Sequence, residues 1–181
     1  RFYMSEVSDN LTTTILLRNA FGKGIKAHLT YQLRSEKYLM DNAQYDDVFF
    51  AEFDSGKVDF MSIALDFMPY FVRSFDAYRA AIRDVDIALE DWQYILNKTR
   101  ETGKDVDDRD GVYRFHAVNY WDRELCQRAF QKTPEEIVRR LSGLVIKAEV
   151  MNGGAYIICC DSFPSHVMST EINDKISMAL Q

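Results

Sequence analysis

Between Ile25 and Leu33 apolar and polar residues alternate. Ile25, Ala27, Leu29, Tyr31 and Leu33 face one way, and Lys26, His28, Thr30 and Gln32 face the other. A period of two marks a strand with one buried face. The Thr-, Ile- and Leu-rich stretch from Leu11 to Arg18 has strand composition, and the turn residues Asn19 to Gly24 join the two stretches as a hairpin. Val48 to Phe53 and Val58 to Leu65 flank Asp54-Ser-Gly-Lys57 and read as a second hairpin. Helix competes there, because Phe60, Ile63, Ala64, Phe67 and Phe71 also fit a 3.6 period. The pattern predicts strand before Asp66 and helix after it, with Asp66 as N-cap and Pro69 in the first turn. Phe67, Phe71, Phe75 and Tyr78 then form one aromatic stripe, expected in the core.

In the second half, Leu89, Trp92 and Leu96 mark a helix over roughly Ile87 to Glu101, stopped by Gly103. An acidic loop from Asp105 to Gly111 follows. Val112 to Val118 reads as a strand with Arg114 and His116 on one face and Tyr113 and Phe115 on the other. Asn119 is placed to cap a short helix from Tyr120 to Phe130. Thr133-Pro-Glu-Glu136 is a helix start of cap, proline and acids, for a helix running to Leu141. Leu144 to Val150 and Ala155 to Cys160 flank Met151-Asn-Gly-Gly154, the clearest hairpin signal in the chain. Ser169 or Thr170 opens a last helix through Leu180.

Strands in hairpins with helices interspersed, and no regular βαβ alternation, predict an α+β fold. Its antiparallel or mixed sheet carries helices packed on it. No internal repeat or Pro/Gly/Ser linker divides the 181 residues, so residues 1–181 are expected to form a single domain, with residues 1–10 a loosely ordered lead-in. The longest apolar-rich segment, Phe60 to Phe75, is interrupted by Ser62, Asp66, Pro69, Arg73 and Ser74, which argues against a membrane span. The opening Arg1-Phe-Tyr-Met-Ser-Glu-Val7 lacks a secretory signal pattern. An odd number of cysteines, Cys126, Cys159 and Cys160, fits a reducing compartment, and a cytoplasmic location is expected. Cys159 and Cys160 should point to opposite faces of a strand as packed thiols.

Chemical motifs are mostly absent. Placing Gly111 at the sixth position of a calcium loop puts Val106 first and Ala117 twelfth, so the ligand set fails at both ends. There is no Cys-x-x-Cys, no Gly-x-Ser-x-Gly elbow and no phosphate-binding glycine pattern, so no metal and no cofactor is expected. One acid–base constellation remains as a candidate: His116 and Arg114 beside the carboxylates of the Asp105–Asp110 loop.

Charge carries more information. The net charge is −6, which disfavours nucleic acid or an anionic membrane as partner. From Asp84 to Asp110 there are nine acids and four bases, a net of −5. An electropositive partner is attracted by such a face. The candidate partner-binding residues are Asp84, Asp86, Asp91, Asp105, Asp107, Asp108 and Asp110, with Trp92 or Trp121 as an aromatic anchor. The reading these residues favour is a cytoplasmic protein-binding or inhibitor protein, most concretely a bacterial immunity protein neutralising a basic toxin. The alternatives are an enzyme built around His116, Arg114 and the acidic loop, and a regulatory domain that assembles through an exposed hairpin edge.

Overall fold

The computed structural model describes residues 4–6, 12–17, 21–32 and 46–181. The fold is α+β, with two four-stranded antiparallel sheets among the described residues. The chain divides into two compact units, Arg1–Asp59 and Phe60–Gln181.

The N-terminal unit is a meander of β1 (Met4–Glu6), β2 (Thr12–Leu17), β3 (Ile25–Gln32) and β4 (Val48–Phe53), in that spatial order. The β2–β3 hairpin is the one the alternation predicts, with Ile15 opposite Leu29 and Leu17 opposite Ala27. Met4–Glu6 is a strand, where the pattern suggests a loose lead-in; the rest of residues 1–10 lies outside the described residues, as do Leu11, Arg18 and Leu33.

The predicted second hairpin does not form. β4 is present, but Asp54 to Lys57 lead into a helix: Asp54 accepts from the Gly56 amide and pairs with Lys57, and the backbone turns from Val58. Helix α1 starts at Phe60–Ser62, widens through π-type turns at Ile63–Phe67 and continues over Met68–Phe75. Asp66 is therefore inside the helix, not its cap. The 3.6 period won over the strand reading because it places Phe60, Ile63, Ala64, Met68 and Val72 in the core. The wide turn also accommodates Pro69. A proline in mid-helix removes one amide donor and crowds the preceding turn. Here the Met68 amide reaches back to the Ile63 carbonyl, shifting the ladder just ahead of Pro69. In the stripe, Phe67 meets Phe71 at a tilt, at 4.5 Å, and Phe71 stacks on Phe75, at 5.7 Å, along a half-exposed flank of α1 rather than in the core.

The second sheet has the order β5 (Arg79–Ile82), β6 (Val118–Trp121), β8 (Gly154–Ile158), β7 (Lys147–Met151). Its central strands are buried along their whole length. The Tyr156 hydroxyl donates to the Ala64 carbonyl, fixing α1 over one face, while Trp121 packs on Phe115 and Phe130 at the other. The strand expected at Val112–Val118 instead begins at Val118 and takes Tyr120 and Trp121, which the pattern placed in a helix. Ahead of it residues 112–117 run without a ladder, and side chains satisfy the backbone: the Phe115 amide donates to Asn173 Oδ1 at 3.1 Å and the His116 amide to Asn119 Oδ1 at 3.0 Å. Asp122, not Asn119, caps α3 (Arg123–Phe130). β5 has no counterpart in the sequence reading, since four residues are too few to show a period.

The remaining elements follow their signals. Helix α2 (Val85–Thr102) is capped by Asp84 and ended by Gly103 in the left-handed region. Helix α4 (Pro134–Leu141) has a complete capping box between Thr133 and Glu136. Helix α5 (His166–Leu180) starts earlier than Ser169, because Ser165 accepts from the Met168 amide. No helix among the described residues is long and apolar enough to cross a membrane. The β7–β8 turn places Asn152 and Gly153 at positive φ, the geometry of a two-residue hairpin.

Gly154 is required for a different reason from Gly153. A Cβ at Gly154 would lie 2.3 Å from the Trp121 carbonyl and 2.7 Å from the Tyr120 ring, whereas one at Gly153 meets nothing within 4 Å. Gly154→Ala should cost about 3 kcal/mol in urea unfolding by overpacking, and Gly153→Ala about 1–2 kcal/mol through backbone strain alone. Equal costs would show that the close approach at Gly154 is relieved.

Candidate functional site

Helix α2 and the loop after it carry all seven candidate carboxylates. The helix has two distinct faces. Inward, Ile87 and Asp91, one turn apart, are buried. Asp91 holds Arg114 in a two-pronged ion pair, through Arg114 Nε and, at 2.8 Å, through Nη2. These bonds keep the Arg114 guanidinium above its usual pKa, against the opposing effect of burial. Tyr94 lies against Tyr113 at 5.0 Å between ring centres. Glu90 meets His166, the first residue of α5, at 3.1 Å.

The loop is organised by Arg79 of β5, which extends one guanidinium nitrogen to Asp107 at 2.7 Å and the other to Asp108 at 3.1 Å. Asp107 also accepts from the Tyr113 amide, at 2.9 Å. Asp110 accepts from the Asp105 amide at 2.9 Å and its own amide returns to the Asp105 carbonyl. Gly111 allows the loop to close, since a Cβ there would sit 2.7 Å from the Val106 carbonyl. No group of His, Cys, Asp and Glu side chains that could hold a metal ion forms among the described residues.

The candidate residues therefore separate. Asp91, Asp107 and Asp108 answer arginines of the same chain, and Asp84 and Asp110 accept backbone amides. Asp86 projects to solvent in the first turn of α2. The carboxylates do not gather around His116. That imidazole is buried, its Nε2 makes no hydrogen bond among the described residues, and the charges acting on it are Arg79, Arg83 and Arg114. Burial first, and those arginines second, pull its pKa down to about 3, so it stays neutral and exchanges no proton near neutral pH. A pocket of about 160 Å³ lies elsewhere, between α5 and the end of β8, with Cys159, Met168, Glu171 and Lys175 on its walls. Burial pushes the Cys159 and Cys126 thiols up to about 12, which leaves both as packing groups.

The sequence reading did not separate the two faces of α2. Leu89, Trp92 and Leu96 look like its core-facing residues. The structure instead exposes Val85 (55%), Leu89 (67%) and Trp92 (55%), spaced four and three apart on one outward line. Of the two anchor candidates, Trp121 is in the core and Trp92 is at the surface. The available signal was Asp91: a carboxylate one turn from Ile87 marks an inward line only if a buried cation exists to meet it, and Arg114 is distant in sequence.

Two outcomes test this description. Asp91→Ala leaves Arg114 without its partner and should cost about 3 kcal/mol in denaturant unfolding. His116 titrates near 6.5 in the unfolded chain but at about 3 when folded. The unfolded chain therefore binds the extra proton between those values, and stability falls as pH drops through that window. His116→Leu should remove this contribution, reducing the loss of stability between about pH 7 and about pH 5 by about 2 kcal/mol. An unchanged pH slope would contradict the buried neutral imidazole. Comparison with known proteins finds no matching family model, no similar curated protein and no similar solved structure, so the functional reading rests on the chain's own geometry.

Proposed function

We propose that this chain is a protein-binding module that engages an electropositive partner through the outward face of α2. In its most concrete form it is a cytoplasmic inhibitor of the immunity type, masking the basic cleft of a toxin domain. The observation that carries the reading is the exposed line Val85, Leu89 and Trp92, bordered by the carboxylates of Asp86 and Glu90. An exposed aromatic among apolar neighbours with charge at the rim is the usual composition of a binding hot spot. The acids at the border speed encounter with a basic surface and select against acidic ones. The net charge of −6 supports the same choice of partner.

The binding surface is accordingly narrower than seven carboxylates. Asp84 and Asp86 belong to it at the start of α2, whereas Asp91 is engaged by Arg114 and Asp107 and Asp108 are engaged by Arg79. The enzyme reading has no comparable support, because His116 and Arg114 face arginines and Asp91 instead of an open cleft.

Calorimetric titration against a basic toxin domain, with stopped-flow association at varied salt, tests the proposal. Trp92→Ala should weaken binding by about 2 kcal/mol or more with unchanged thermal stability, and added salt should slow association. Binding that is absent, or indifferent to both Trp92 and salt, would remove the proposal.

A further inference from the structure

One edge of the second sheet is β7. β7 ends the strand order, and no described strand covers its outer side. The direction of its backbone groups follows from its neighbours. The Cys159 amide donates to the Ala117 carbonyl at 2.8 Å, so residues 155, 157 and 159 direct their backbone groups toward β6. Gly154, Tyr156 and Ile158 then bond to their β7 partners Met151, Glu149 and Lys147. The amides and carbonyls of Ala148 and Val150 are left pointing outward, and Ile146 stands immediately before the strand. Ile146 and Val150 expose 53% and 44% of their surface.

We propose that a second copy of this chain adds to the edge, β7 against β7, antiparallel and centred on Ala148. The sequence Ile146-Lys-Ala-Glu-Val150 is self-complementary about that centre. The two-fold sets Ile146 opposite Val150, Lys147 opposite Glu149 and Ala148 opposite its own copy. The outward groups of Ala148 and Val150 lie at the hydrogen-bonded pairs. Lys147 and Glu149 fall at the non-hydrogen-bonded pairs, where side chains come closest. An edge strand bearing lysines alone repels its copy, which is how sheets avoid such pairing. β7 carries one charge of each sign, already in contact within the strand at 2.8 Å, and so attracts its copy in this register. The result joins two four-stranded sheets into a continuous sheet across the two-fold. This surface is separate from the face of α2 and independent of its partner.

Sedimentation velocity of the full 181-residue chain over a concentration series tests the proposal. The chain should populate a dimer. Lys147→Glu alone and Glu149→Lys alone each place like charges opposite one another twice, and each should raise the dimer dissociation constant about tenfold or more. An equimolar mixture of the two variants should restore dimer, because the heterodimer pairs Glu with Lys at both positions. Loss of the contact within each strand cannot produce that rescue. Far-UV circular dichroism verifies that both variants are folded. A wild-type chain that stays monomeric, variants that dimerise as the wild type does, or a mixture that stays monomeric would each overturn the proposal.

Discussion

Arg79 and Arg114 bring positive charge into the C-terminal unit, and a charge taken from water is tolerated only when a partner of opposite sign meets it. Asp107 and Asp108 meet Arg79, and Asp91 meets Arg114. Much of the rest follows from these contacts. The loop after α2 is pinned to β5 by Arg79, and α2 is oriented by the Asp91–Arg114 pair. His116, with positive charge around it and no hydrogen bond at Nε2 among the described residues, has no way to stabilise a second proton.

The orientation of α2 explains its unusual surface. An amphipathic helix normally turns its largest apolar residues to the core. In α2 the inward line is Ile87 and Asp91, because the ion pair takes a position that a leucine would otherwise fill. Rotating the helix to bury Leu89 and Trp92 would strand Arg114 without its carboxylate. The apolar line is therefore held at the surface by an electrostatic requirement beneath it.

The sheet shows a related asymmetry between its two edges. β5 bears Arg79, which draws the 105–111 loop toward that edge. At the other edge α4 packs against β7, and the residues from Ile146 to Val150 run apolar, charged, small, charged and apolar in a palindromic order. The strands between them, β6 and β8, are covered on both faces, and Gly154 permits the close approach of β8 to Trp121.

The α+β class, the β2–β3 and β7–β8 hairpins, the extent of α2 and the capping box of α4 were legible in the sequence, because each is set by periodicity or by cap and turn residues within a few positions. Where local signals competed, tertiary packing decided. Phe60 to Phe75 became helix because its 3.6-period residues found a core, and Tyr120 and Trp121 became strand because β5 and β8 lay on either side to pair with them. The candidate site shows the same division. The sequence determined that carboxylates crowd the middle of the chain, but their roles depended on arginines 23 to 29 residues away, as for Asp91 with Arg114 and Asp107 and Asp108 with Arg79. Local pattern records which groups a chain possesses; which of them meet, and which are left facing water, is decided only when distant charges are brought together and must be neutralised.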